Sequence, residues 1–255
     1  MNLQQRLTIA QNIAAGASQV AMSHFRKPLD ITSKPDASPV TIADQETERA
    51  IRDALGQQFP NEAIYGEEYG QSGSGADMWI VDPIDGTRSF ITGLPLFGML
   101  LGYVCDSTPQ LGIINMPALG ELYAGAVGLD ATLNGGPIRT SDCAQLEDAR
   151  LFLSEGDKLA NQEPDVFAHL IQAGSVRRMS ADCYPHALVA SGYADAVVDF
   201  DLQPYDYLPV CAVVEAAGGI MTDWHGLPLT MASDGRTLTA ATPALHTALV
   251  ELVNQ

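Results

Sequence analysis

The chain has 255 residues, 46% apolar and 17% charged, a mixture that suits a packed core and excludes intrinsic disorder. Its 31 acidic side chains outnumber 13 basic ones, and the formal charge of −18 argues against nucleic-acid backbones and anionic membranes as partners. The four cysteines, Cys105, Cys143, Cys183 and Cys211, form no CxxC pair and read as reduced thiols of a cytoplasmic protein; no stretch has the pattern of a membrane span or a secretory leader.

Leu3, Leu7, Ala10, Ile13, Ala14, Ala17, Val20 and Ala21 recur at helical spacing and predict a long amphipathic helix, which Phe25 extends before Pro28 ends it. Residues 34–39 are turn formers, and a second helix follows over about 42–58, capped by Thr41 or Ser38. Gly66-Glu67-Glu68 then leads into a polar Gly/Ser stretch through Ala76, read as a surface loop. Trp79-Ile80-Val81 is a short buried strand that ends at Asp82, because Pro83 has no N–H for the ladder. Asp82 and Asp85 therefore flank the Ile84 carbonyl on a rigid turn, and Gly86-Thr87 opens Arg88-Ser89-Phe90 as the first turn of a helix. Residues 94–126 suit antiparallel strands, and Asn134-Gly135-Gly136 a further hairpin turn.

After about residue 145 short strands and helices alternate: strand 151–153, helices 164–173 and 187–191, strand 196–198, helix 207–217, strand 237–241 and helix 244–253. The expected organisation is an α+β part, 1–145, holding most of the functional carboxylates, and an α/β part, 146–255, that closes the site, joined as one compact unit.

Carboxylates, a backbone carbonyl and a helix start at one place are hard oxygen donors for divalent cations beside a seat for phosphate. Taken singly, Glu67-Glu68 is a solvated pair, Asp44 a helix N-terminal charge and Asp206 a helix cap; only as a set do they suggest a ligand cluster. The histidines, His24, His169, His186, His225 and His246, are scattered without ligand spacing and read as surface or core.

Four pieces in order along the chain resemble the inositol monophosphatase family of magnesium-dependent, lithium-sensitive phosphatases. They are Thr41-Ile42-Ala43-Asp44, Gly66-Glu67-Glu68, Trp79-Ile80-Val81-Asp82-Pro83-Ile84-Asp85-Gly86-Thr87, and Asp206 with Ala217-Gly218-Gly219. The resemblance implies a layered α-β-α-β-α sandwich, mixing α+β and α/β parts, usually assembled as a homodimer. It implies two or three Mg2+ per site: one on Glu67, Asp82 and the Ile84 carbonyl, a second on Asp82, Asp85 and Asp206, and a looser third near Glu67, reached from Asp44. The Gly86 and Thr87 amides would hold phosphate, while Glu67 and the Thr87 hydroxyl would orient a water for in-line attack without a phosphoenzyme.

Residues 89–98, Asp182-Cys183-Tyr184, residues 219–224 and Tyr205 before Asp206, where inositol phosphatases carry Trp, resemble the histidinol-phosphatase branch. That implies L-histidinol phosphate, in histidine biosynthesis, as the small-molecule phosphate monoester. An inositol or broad sugar-phosphate phosphatase is the enzymatic alternative, and a non-catalytic cation-binding regulator the alternative from another class. An acidic pocket would suit the ammonium and imidazole of histidinol phosphate. Asp182 and Asp199 are its candidates, Asp182 being equally a helix N-cap; Arg88 at the mouth touches phosphate or is solvated.

Overall fold

The computed structural model of the protein describes residues 1–29, 31–33, 39–75 and 77–255. Period-two apolar runs in the first half are used on both faces of one large sheet. The elements there are α1 (Leu3–His24), β1 (Thr32–Ser33), β2 (Pro39–Val40), α2 (Ile42–Gln58), β3 (Ala63–Gly66), β4 (Gly70–Ser72), β5 (Met78–Asp85), α3 (Thr87–Thr92), β6 (Gly98–Cys105), β7 (Thr108–Met116), β8 (Glu121–Ala126), β9 (Leu129–Leu133) and β10 (Gly136–Pro137). Eight strands pair in the order β10-β9-β8-β7-β6-β5-β3-β4, while β1 and β2 form a separate pair. Trp79, Val81, Met99, Leu101, Leu111 and Ile113 face α1 and α2; their neighbours Ile80, Leu100 and Ile114 face the opposite way.

The second half contributes β11 (Arg150–Leu153), α4 (Gly156–Gln162), α5 (Pro164–Leu170), β12 (Val176–Met179), α6 (Tyr184–Ala190), β13 (Ala196–Asp199), α7 (Pro204–Ala216), β14 (Ile220–Asp223), β15 (Thr237–Ala240) and α8 (Pro243–Val253). Five strands pair in the order β12-β11-β13-β15-β14. Leu151, Leu153, Ala196 and Val198 pack with Leu159, Leu170, Leu245 and Leu249 of α4, α5 and α8, whereas Phe152 and Val197 meet Val189 of α6. The middle layer is α6 with α7, whose Val210, Val213 and Val214 share a core cluster with Ile80, Leu100 and Tyr123 of the large sheet. The α-β-α-β-α sandwich follows directly.

A row of glycines seats α7 on that sheet. Gly102 pairs with Gly112 and Gly112 with Gly125 across β6, β7 and β8. A Cβ at Gly112 would lie 1.8 Å from the Pro209 carbonyl oxygen, and one at Gly125 2.8 Å from the Val213 Cα. Only bare backbone lets the helix descend this far.

Several expectations need adjusting. Pro83 does not end its strand: β5 runs on to Asp85 opposite Gly98, with the pairing register shifting between Asp82 and Asp85, so the missing N–H falls where the ladder is already broken. Gln71 and Ser72 of the polar stretch pair with β3 instead of looping free. The helices expected from 187 and 207 start at Tyr184 and Pro204, because Pro185 and Pro204 sit in first turns, where no N–H is needed. The helix over 164–173 stops at Leu170, while α4, β12 and β14 carried too little periodicity to be read. Thr41 caps α2, its hydroxyl accepting from the Ala43 N–H at 3.1 Å; Ser38, residues 34–37 and Ala76 lie outside the described residues.

Candidate active site

β5 carries Asp82 and, past the register shift, Asp85, while the first turn of α7 carries Asp206. One carboxylate oxygen from each of Asp82, Asp85 and Asp206 lies within 4.8 Å of the others. Each side chain is aimed by an amide: Ile84 N–H donates to Asp82 Oδ1 at 2.9 Å, Cys183 N–H to Asp85 Oδ2 at 2.7 Å and Gln203 N–H to Asp206 Oδ2 at 2.7 Å. Asp206 is thus not the cap of α7, which is Gln203; from the third helical position it holds the cap's N–H and also joins the cluster.

Charge is the difficulty of this arrangement. Burial, then the neighbouring Glu67 and Asp85 charges, pushes Asp82 well above the usual carboxylate range. Burial followed by the charge of Asp182 lifts Asp85 to about 8, and burial with Asp85 and Glu67 raises Asp206 strongly. Asp85 and Asp206 keep part of their surface toward the cleft, so a cation has access to the acids it would neutralise.

Glu67 stands on the turn after β3, its N–H held by the Val81 carbonyl at 3.1 Å. Behind it lies Glu48, fully buried on α2, which sequence reasoning missed. It accepts from the Glu68 N–H at 2.6 Å, the Tyr69 N–H at 3.3 Å and Arg52 Nε at 2.7 Å. A Cβ on Gly66 would meet Glu48 Oε1 at 2.1 Å, so the glycine before Glu67 is required by this close approach. The only sequence signal for Glu48 was its i, i+4 spacing to Arg52, which ordinarily marks a solvated pair.

Asp44 is fully buried. Its Oδ2 accepts the Thr41 N–H at 2.8 Å and the Thr41 hydroxyl at 2.6 Å, and its Oδ1 lies 3.3 Å from Thr87 Oγ1. Thr87 Oγ1 is also 3.2 Å from the Ile84 carbonyl. Gly86, at φ +83°, begins α3 in the left-handed region; a Cβ there would lie 2.7 Å from the Asp182 carboxyl. Glu67, Ile84, Gly86, Thr87 and Arg88 all line the cleft that holds the carboxylate cluster.

Asp182 does not cap α6, whose N-cap is Cys183; instead its Oδ2 accepts the Ser89 hydroxyl at 2.6 Å, joining the two halves of the chain. Burial lifts Asp182 to about 6, against the lowering effect of Ser89. Asp199 lies at the end of β13 in a deeper recess that Asp85, Asp182 and Asp206 also line. His186, read as surface or core, is buried beside it. Arg88 is largely exposed, 3.6 Å from Glu155 Oε2, and Lys158, which sequence reasoning missed, bridges Glu155 at 3.0 Å and Asp201 at 2.9 Å on the same rim.

The model of the inositol monophosphatase family matches residues 2–255. The chain belongs to the inositol monophosphatase family. It is 38% identical over 251 residues to a histidinol-phosphatase of Chlorobaculum parvum, covering 97% of this chain and 96% of that protein. It is 40% identical over 221 residues to the bifunctional phosphatase IMPL2, chloroplastic, of Arabidopsis thaliana, covering 86% of this chain; there it spans 64% of the relative's length. Among solved structures, an inositol monophosphatase from Zymomonas mobilis superposes with a TM-score of 0.90 at 34% identity over the whole of both chains.

Inositol monophosphatase-family phosphatases use divalent metals. The donor set here fits such ions: it is all oxygen, crowded, and electrostatically unfavourable until cations enter, with no histidine or cysteine among the clustered ligands of the described residues.

Proposed function

We propose that this chain is a Mg2+-dependent phosphomonoesterase that hydrolyses L-histidinol phosphate to L-histidinol and phosphate in histidine biosynthesis, working as a cytoplasmic homodimer. The observation that carries the reading is the Asp82-Asp85-Asp206 cluster beside the α3 start, with an acidic recess opening from it. The likeness to the Chlorobaculum parvum histidinol-phosphatase supports the substrate.

Asp82, Asp85 and Asp206, with Glu67 and the Ile84 carbonyl, would hold two or three ions. Bound Mg2+ supplies charge neutralisation at the phosphoryl group, acidifies water and offsets charge on the leaving oxygen. The Gly86 and Thr87 amides, free of intrahelical acceptors at a helix start, hold phosphate oxygens, and Arg88 meets them at the mouth. Thr87 donates its hydroxyl hydrogen bond to Asp44 or the Ile84 carbonyl, which leaves an oxygen lone pair to accept a hydrogen bond from the attacking water; as water gives up that proton to Thr87 Oγ1, the hydroxyl's own proton passes to the Asp44 carboxylate. Asp44 thereby works through Thr87, beyond any looser contact with an ion, while Glu67 orients the water from the turn after β3. Asp182 and Asp199 face the ammonium and imidazole of the substrate.

Phosphate release from L-histidinol phosphate and myo-inositol 1-phosphate, side by side with Mg2+ and with EDTA, tests this. A Mg2+-dependent preference for histidinol phosphate is expected. Preference for the inositol ester would favour the second reading, which the likeness to the Zymomonas mobilis enzyme supports. Mg2+ binding by calorimetry without release from any ester would instead indicate a cation-binding regulator.

A further inference from the structure

Beyond the carboxylate cluster the cleft continues into a recess lined by Asp85, Asp182 and Asp206 together with Ser154, His186 and Asp199. Two features there have no part in holding cations or phosphate. Ser154 is 3% exposed, and its Oγ has no hydrogen-bond partner among the described residues, so a buried hydroxyl keeps unused donor and acceptor capacity at the recess. Asp199 and His186, each 2% exposed, are locked together. Asp199 Oδ1 accepts the Phe200 N–H at 2.8 Å, and its Oδ2 lies 3.1 Å from His186 Nε2. His186 Nδ1 in turn lies 2.9 Å from Thr239 Oγ1 on β15. A carboxylate only accepts, so Nε2 is assigned as the donor and the Thr239 hydroxyl donates to Nδ1. The bonds thus run from the second sheet, through α6, to the end of β13.

We propose that His186 is the positioning residue for substrate selectivity, holding Asp199 so that its remaining lone pairs meet the protonated, nitrogen-bearing arm assigned to this recess above. The inference rests on the phosphatase reading above. A carboxylate fixed from two sides accepts an ammonium or imidazolium N–H without reorganising, and a charge-assisted bond of this kind is stronger than one from a neutral hydroxyl. Without His186, the Phe200 N–H is the one hydrogen bond left to Asp199 among the described residues, and its carboxylate gains freedom to turn. The orphan Ser154 hydroxyl gives the same arm a second contact. An ester of a neutral alcohol draws little from either group.

The test is steady-state kinetics of the full-length, Mg2+-loaded enzyme on L-histidinol phosphate and on glycerol 2-phosphate. His186→Phe is expected to raise KM for histidinol phosphate about tenfold more than KM for the glycerol ester, with a smaller effect on kcat. His186→Gln keeps an N–H donor and is expected to recover part of the selectivity. Thr239→Val, close in volume, is expected to shift selectivity in the same direction by a smaller factor, and it carries the test if His186→Phe does not fold. Equal losses on both esters in these variants would reveal a purely structural role and overturn the proposal. The identity of the substrate is read separately, from the wild type. A wild-type enzyme that prefers another ester overturns histidinol phosphate alone, and a selective KM increase in His186→Phe then still supports the recess.

Discussion

Asp85 concentrates the electrostatic logic of the site in one side chain. Its carboxyl is held at about 8, chiefly by burial, far above the ordinary aspartate value of 3.8. An acid whose folded pKa exceeds its unfolded one stabilises the fold while protonated. That contribution is full below the ordinary aspartate range and is lost as pH rises to about 8. The metal-free protein is therefore expected to melt at lower temperature at pH 8 than at pH 5, and Mg2+ to raise the melting temperature more at pH 8; scanning calorimetry with and without EDTA reads both. Asp85→Asn is expected to lower kcat/KM by at least about 100-fold, because an activated nucleophile and its electrostatic stabilisation are lost together. The same variant should flatten the pH dependence of metal-free stability. Near-normal turnover by a folded Asp85→Asn protein would remove this residue from the metal centre.

At the level of elements, the site depends on two supports that touch no reacting atom. Glu48 ties the turn bearing Glu67 to α2 through two backbone amides and Arg52. Glu48→Ala should cost about 2–4 kcal/mol in chemical denaturation, since it strips buried donors of their acceptor. It should also weaken Mg2+ binding, measured by titration calorimetry, and unchanged Mg2+ affinity would show that the turn holds its shape without Glu48. The glycine row under α7 sets the depth of the helix that carries Asp206. Gly112→Ala places a methyl where the Pro209 carbonyl already lies, so a loss of about 3 kcal/mol or more is expected in urea unfolding. A wild-type midpoint would mean that α7 shifts at little cost.

In the whole molecule, α7 belongs by sequence to the second half and by packing to the first. Its Val210, Val213 and Val214 close the face of the large sheet formed by Ile80, Leu100 and Tyr123. Ser89 to Asp182 and Cys183 to Asp85 join the halves again at the site. Taken apart, 1–145 would bare the sheet face of Ile80, Leu100 and Tyr123, and 146–255 would bare the α7 side chains that cover it. We therefore propose a single cooperative unit and expect one calorimetric transition with equal calorimetric and van't Hoff enthalpies. Two separable transitions would show instead that the two parts unfold independently.

The sequence by itself brought the cluster's first acids together, because Asp82-Pro83-Ile84-Asp85-Gly86-Thr87 holds two carboxylates, a carbonyl and a helix start within six residues. It also determined the long helices Leu3–His24 and Ile42–Gln58 and the antiparallel run through β8, where the apolar period is strong and the pairing local. Short or irregular elements, such as β12 and α4, lack enough residues to show a period. Only the tertiary structure decided which distant groups meet. Glu48 carried no reading from sequence until burial placed it behind Glu67, and Asp182, equally a substrate contact or a cap by sequence, is no cap and accepts from Ser89. His186 looked inert until β13 and β15 brought Asp199 and Thr239 to its two ring nitrogens. Contacts of this kind join residues far apart in the chain. Their energy comes from burial and from satisfying polar groups in a shared interior, which no local pattern of residue types encodes.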